Sequence, residues 1–155
     1  MRKVLRKAVL FINPIAEIVE FAIYIEGVLD KQWRRRGYVS DILIDELHSS
    51  IVRHGIEAVI YVNGPGSFMS VKLTYVALET LRIVKAIPFF GCSAFCLNGG
   101  RPLKAMGNLY FIKEKETIIT QKLNEKIEQV FRFPSVLDDI ELKESNQPEY
   151  IIPAV

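Results

Sequence analysis

The first third of the chain reads in short apolar patches, and a helical period follows. Val4 to Ile12 predicts a buried strand. Ile18 to Ile25 predicts a second, with Ile18, Glu20 and Ala22 alternating against Val19, Phe21 and Ile23. Glu26-Gly27 turns the chain into a third, Val28 to Arg35. Three strands joined by tight turns make an antiparallel meander. A dinucleotide-binding start, in which a helix follows the first strand, is excluded. Ser40-Asp41 are placed to cap a helix that runs to His54 and closes at Gly55. Leu43, Leu47 and Ile51 form its apolar stripe, widened by Ile44, with Ile42 and Val52 off the stripe. Ile56 to Val62 returns as a strand, parallel to the first if the crossover is right-handed.

The turn Asn63-Gly64-Pro65-Gly66-Ser67-Phe68 comes next, and then a helical pattern from Met69 to Lys85. Strand, glycine turn and helix in that order aim the helix's first free N–H groups into a crevice. Pro88 stops the helix and Phe89-Phe90-Gly91 is extended. Ser93 caps a short helix through Leu97, which Asn98-Gly99-Gly100 ends. Beyond Gly100 the chain is more polar. Leu103 to Ile112 and Glu116 to Leu123 predict a hairpin turning at Lys113-Glu114-Lys115, and Asn124 to Arg132 a short helix. Asp138 to Asn146 predicts an exposed acidic stretch, and Tyr150-Ile151-Ile152 an apolar tail that docks.

This element order is that of an actin-like or ribonuclease H-like (ASKHA) lobe, an α/β arrangement with a mixed sheet. A more polar second part follows, which divides the chain into residues 1–99 and 100–155. The 155 residues, half of them apolar, suit one domain or two small lobes. A net charge of +2 neither demands nor forbids nucleic acid. Cys92 and Cys96 are the only cysteines, so a disulfide framework is not expected and a reducing cytoplasm is. Met1 to Lys7 followed by Ala8 to Ile12 imitates a leader. Asn13-Pro14 cuts the apolar run, Glu17 restores charge, and no small-residue cleavage site follows, so none is expected. No apolar run approaches the ~20 residues of a membrane helix.

The candidate chemistry centres on the glycine turn. It can cradle a phosphate or fix its helix for docking. It lacks the Gly-Lys-Ser/Thr ending of a P-loop, and Ser67 can simply cap the helix. His48 and His54 stand ~120° apart on their helix and cannot share one ion. Cys92 and Cys96 make an incomplete zinc set. Ser67 and Ser93 lack a histidine base and the Gly-x-Ser-x-Gly elbow. The run Lys31-Gln32-Trp33-Arg34-Arg35-Arg36 can contact nucleic-acid phosphates or be a solvated strand end.

The helix after the turn is apolar over more than one stripe. Leu73, Ala77, Leu81 and Val84 share one face, and Val71, Tyr75, Leu78 and Arg82 another, with Val76 and Ile83 between. A surface helix buries one side against its own chain, so the remainder predicts a partner.

Gly64-Pro65-Gly66-Ser67-Phe68-Met69-Ser70-Val71-Lys72 resembles the TsaB (YeaZ) family pattern Gly-Pro-Gly-Ser-Phe-Thr-Gly-Leu-Arg, with the first five positions identical. Gly91-Cys92-Ser93 resembles its Gly-Val-Ser, Gly107-Asn108-Leu109-Tyr110-Phe111 its Gly-Glu-Val-Tyr strand, and Pro148-Glu149-Tyr150-Ile151 its closing Pro-x-Tyr-Leu. Asn13-Pro14 stands where the family carries Asp-Thr, and the chain is short for the family after Gly100, which implies a reduced second lobe at 100–155.

The resemblance implies an accessory protein for threonylcarbamoyl modification of the tRNA adenosine beside the anticodon, in the cytoplasm and without catalysis of its own. It implies docking on a TsaD-like paralogue that holds the metal, a TsaE-like ATPase as further partner, and a homodimer when alone. It implies tRNA contact only through the complex and no membrane. It implies no metal or cofactor of its own, with ATP or ADP confined to a partner interface. The expected interface residues are Leu43, Leu47, Ile51, Val71, Tyr75, Leu78 and Arg82. The alternatives are a nucleotide-binding ATPase-like enzyme using Gly64, Pro65, Gly66, Ser67 and Phe68, and a homodimeric structural protein with no modification role.

Overall fold

A computed structural model describes residues 7–151. The strands are β1 (Val9–Asn13), β2 (Val19–Ile25), β3 (Val28–Arg35), β4 (Ala58–Val62) and β5 (Phe89–Cys92). They form one mixed sheet in the order β3-β2-β1-β4-β5. The meander pairs antiparallel, β4 runs parallel to β1, and β5 runs parallel to β4. Helices α1 (Val39–His54) and α2 (Phe68–Lys85) cover one face. A second, three-stranded antiparallel sheet lies beyond the other face, in the order β6-β7-β8 (Leu103–Met106, Leu109–Glu114, Thr117–Lys122).

Alternation along the central strands sorts their side chains between two cores. Leu10, Ile12, Phe21, Ile23, Val59 and Tyr61 face the helices. Val9, Phe11, Ala22, Tyr24, Ala58 and Ile60 face the small sheet and the chain's last segment, where Leu103, Phe111, Leu137 and Ile140 meet them. Both faces of β1 and β4 are buried, so these strands read as apolar runs rather than alternating ones.

Several expectations are corrected here. The β1 strand begins at Val9, not Val4, and Met1 to Arg6 lie outside the described residues. Helix α1 begins at Val39 after Tyr38, with no side-chain cap bond, so Ser40-Asp41 sit within its first turn. Its buried residues include Val39, Ile42, Leu43 and Leu47, whereas Ile44 is 63% exposed. The expected stripe through Leu43 and Leu47 does turn inward with Ile51 half-buried, but it is widened by Ile42 and not by Ile44, because the helix is rotated on the sheet toward Ile42. Leu103 to Ile112 breaks into β6 and β7 at Gly107-Asn108, where Gly107 takes φ +57°. Asn124 to Arg132 is irregular, not helical. Gly55 does close α1 in the left-handed conformation, and Ser67 Oγ caps α2 by accepting from the Ser70 N–H at 3.4 Å.

The stretch Asp138 to Asn146 is acidic but not merely exposed. It belongs to a strap, residues 134–151, that binds the large sheet. The Leu29 N–H donates to the Ser135 carbonyl, and the Leu137 N–H to the Gly27 carbonyl. Leu142 bridges Cys92 and the Lys143 N–H donates to the Gly91 carbonyl, covering the edge strand β5. The Tyr24 and Tyr61 hydroxyls each donate at 2.6 Å to strap carbonyls, at Pro134 and Asn146. Tyr150 then packs edge-on against Phe68. Ile152, predicted to dock with it, lies outside the described residues.

Candidate functional site: a filled glycine turn, a cleft and a helix face

The glycine turn leaves the carboxyl end of β4, as its position after an apolar strand required. Protein atoms close on it from two sides. The Asn63 side chain donates to the Gln147 carbonyl at 2.8 Å, and the Glu149 N–H donates to the Asn63 carbonyl at 2.7 Å. Gly64 has φ +125°, and a Cβ there would collide with the Glu149 carbonyl oxygen. A Cβ on Gly66 would come within 2.7 Å of the Ile15 side chain. The glycines therefore let the strap and the β1–β2 turn approach closely. Gly64 and Pro65 are buried, Gly66 is half-buried, and Ser67 and Phe68 are exposed.

Asn13 is fully buried at the end of β1. Its Nδ2 donates to Glu20 Oε1 at 3.0 Å, and its Oδ1 accepts from the Ile15 N–H at 3.4 Å. The amide is thus consumed in bonds to its own hairpin. Burial raises the Glu20 carboxyl above its ordinary range, opposed by the Asn13 bond and the Arg34 charge.

Beside the turn opens a cleft of about 1100 Å³ between the large sheet and the small one. Ile15, Glu20, Arg34, Phe68, Met106 and Phe131 are among its lining residues. Sequence reasoning found Phe68, and Arg34 within the basic run, but missed Ile15, Glu20, Met106 and Phe131. The Asn13-Pro14 departure marked the neighbourhood, while nothing local told that Ile15 would fill it.

The seven residues expected at an interface divide by burial. Leu43, Leu47, Val71 and Leu78 are at most 4% exposed, inside this chain's own core. Tyr75 packs edge-on against Phe89 with ring centroids 5.8 Å apart, and Ile51 is half-buried. Arg82 is exposed and pairs with Glu79 one turn back. Beyond the first turn of α2, where Phe68 and Met69 are also exposed, the large apolar side chains that remain uncovered on the two helices are Ile44, Val52, Val76, Ile83 and Val84. On α2, Val76 and Ile83 stand seven residues apart and share a face.

The basic run is partly spent within the fold. Trp33 stacks on Phe21 and donates to Glu46 at 3.1 Å, and Arg35 pairs with Asp45 and Glu46 of α1. Lys31 lies over the Trp33 ring. Cys92 is buried, which pushes its thiol pKa up, and Cys96 is exposed. Among the described residues no group of His, Cys, Asp and Glu is placed to hold a metal ion, and no helix is long and apolar enough to cross a membrane.

No protein-family model matches the chain. No curated protein matches it in sequence. Solved structures do. YeaZ from Pseudomonas aeruginosa superposes with a TM-score of 0.58 at 13% identity over 90% of this chain. A crystal structure described as an uncharacterized protein with similarity to peptidase YEAZ, also from Pseudomonas aeruginosa, gives 0.57 at 13% identity over 90%. The chain spans 65% and 64% of the lengths of those two proteins. At this identity the likeness speaks to architecture, and the architecture of this chain is the YeaZ-like α/β fold.

Proposed function

We propose that this chain is a non-catalytic scaffold for threonylcarbamoyl modification of tRNA, with the ASKHA lobe organisation of that family. It docks on a TsaD-like paralogue through the outer face of α1 and α2. The supporting observation is the uncovered apolar set Ile44, Val52, Val76, Ile83 and Val84 on two adjacent helices of a YeaZ-like fold. These side chains have nothing of their own chain to bury against, and covering them favours association. The docking residues are therefore the outward neighbours of those first expected, one or two positions along each helix. The scaffold would act by holding its partner's active lobe in a competent arrangement. The TsaE-like ATPase would join that complex, any ATP or ADP would sit at a partner interface, and tRNA would be met through the paralogue.

The ATPase-like alternative draws little from the site. The glycine turn is packed by Ile15 and Glu149, and Asn13 offers no charge for a metal.

The test is co-purification with the paralogue from the same genome. Val76→Glu with Ile83→Glu puts two charges on the exposed face. The pair should abolish the complex and lower the modified nucleoside in cells, with the circular dichroism melt unchanged. A complex that survives both charges would overturn the assignment.

A further inference from the structure

Residues 126–131 wall one side of the cleft, at the end of a segment, 124–131, that belongs to no helix or strand. It is bounded by two backbone anchors. The Leu123 N–H donates to the Asn108 carbonyl at 2.9 Å, and the Arg132 N–H donates to the Leu97 carbonyl at 2.8 Å. Between them, among the described residues, no backbone–backbone hydrogen bond ties the segment to the rest of the chain.

Two side chains do the holding instead. The Tyr110 hydroxyl of β7 accepts from the Ile127 N–H at 3.1 Å. The Gln129 amide reaches the outer edge of β6. Its Oε1 accepts from the Lys104 N–H at 3.0 Å, and its Nε2 donates to the Pro102 carbonyl at 3.3 Å. Engaging the carbonyl of one residue and the N–H two positions later is the pattern a single residue of a parallel strand would make. Gln129 thus stands in for a neighbouring strand at an otherwise open edge. Its Nε2 also donates to the Ile127 carbonyl at 3.2 Å, so the same amide stiffens the segment it holds.

Packing divides the segment in the same way. Phe131 belongs to the core beneath the large sheet, whereas Val130 is 41% exposed and Lys126 and Glu128 face solvent. Residues 124–130 therefore hang from Leu123 and Phe131 with little buried area of their own. Met106 and Met69, on the β6 edge and the first turn of α2, are exposed beside the same cleft.

We infer that residues 124–130 form a lid on this cleft, latched by the Gln129 amide on the β6 edge and by the Tyr110 hydroxyl. Releasing the latch swings the segment about its two anchors, bares the β6 edge and opens the apolar wall of the cleft. The inference does not depend on the docking face, which lies across the large sheet.

Hydrogen–deuterium exchange on the full chain tests it, with Gln129→Ala and Tyr110→Phe. Gln129→Ala should speed exchange of the Ile127 amide, and Tyr110→Phe that of the Lys104 amide, each by about tenfold, although each variant leaves that amide's own acceptor in place. The amides of β1 and β4 should keep their rates, which separates lid opening from global loosening. Anilinonaphthalene sulfonate, an apolar probe with an anionic head, should bind the Gln129→Ala protein more tightly than the parent. Gln129→Glu keeps the acceptor for Lys104 and loses the donor, so its rates should fall between. Unchanged exchange at Ile127 in Gln129→Ala and at Lys104 in Tyr110→Phe, or acceleration spread evenly over β1 and β4, would overturn the lid.

Discussion

At the scale of single residues, the glycine turn is governed by what touches it. Gly66 faces the Ile15 side chain, which can give way, whereas Gly64 faces the Glu149 backbone carbonyl, which cannot, and also has positive φ. Gly66→Ala should cost about 1–3 kcal/mol of unfolding free energy. Adding Ile15→Ala should recover part of that loss, since it clears the contact, and urea midpoints on the four proteins of the cycle read the coupling. The glycines, the Ser67 cap and the Asn13 departure were legible in the sequence because each is a local backbone or cap requirement. Ile15 and Glu149 were not, because they arrive from 51 residues before and 83 after Gly66. Glu20 gives a second expectation at this scale. The folded chain holds its proton more tightly than the unfolded chain does, because burial raises the carboxyl above its ordinary 4.5. Stability from this group is therefore present below that value and fades as pH climbs through the raised one. Glu20→Gln keeps an acceptor for Asn13 without the charge. It should be more stable than the parent at neutral pH and lose that advantage toward acid, as urea midpoints across the range would register.

At the scale of elements, hydrophobic periodicity was enough to read the number and chain order of the large-sheet strands and both long helices. They did not give the rotation of each helix. In α1, Ile42 and Ile44 flank the Leu43–Leu47 stripe on either side, and only packing against the sheet selects Ile42 for burial beside it. In α2 the same ambiguity is wider, because Val71, Leu73, Val76, Leu78 and Ile83 circle much of the helix. The structure resolves it by burying Val71, Thr74 and Leu78. Thr74 is tolerated there because its hydroxyl donates at 2.8 Å to the Ser70 carbonyl within the helix. A paired measurement checks this orientation without reference to any partner. Leu78→Ala should cost about 2–5 kcal/mol, the range for a buried leucine that leaves a cavity. Val76→Ala, two positions earlier on the exposed face, should stay within about 0.5 kcal/mol. Similar costs at both positions would mean that α2 is rotated relative to this arrangement, and the docking face would move with it.

At the scale of the whole molecule, the last segment decides whether the parts hold together. Its sequence predicts only that the tail from Tyr150 docks, since Asp138, Asp139, Glu141 and Glu144 read as a solvated stretch, and they are indeed exposed. The information lies in the residues between the charges. Leu137 is 2% exposed and Ile140 9%, both in the core shared by the two sheets, and Leu142 continues along β5. A strap of this kind does two jobs at once. It supplies apolar cover to a sheet face that the small sheet leaves partly open, and it occupies the free edge of β5, which would otherwise invite pairing between chains. Its hydrogen bonds run at both ends, from Gly27 and Leu29 at the β2–β3 turn to Asn63 beside the glycine turn, so the strap links opposite ends of the sheet. The two functions predict different losses. Leu137→Ala removes apolar cover and leaves the backbone pairing, so it should cost about 2–5 kcal/mol with the protein still monodisperse. Tyr61→Phe removes one hydroxyl bond to the Asn146 carbonyl and should cost about 0.5–1.5 kcal/mol. Lys143→Pro deletes the N–H that pairs with Gly91 on the β5 edge, and it should release that stretch of strap. The expected result is concentration-dependent association in sedimentation velocity, measured in the Val76→Glu, Ile83→Glu background so that the helix face contributes nothing. If Lys143→Pro remains monodisperse there while Leu137→Ala unfolds, the strap serves the core alone and the β5 edge has some other protection.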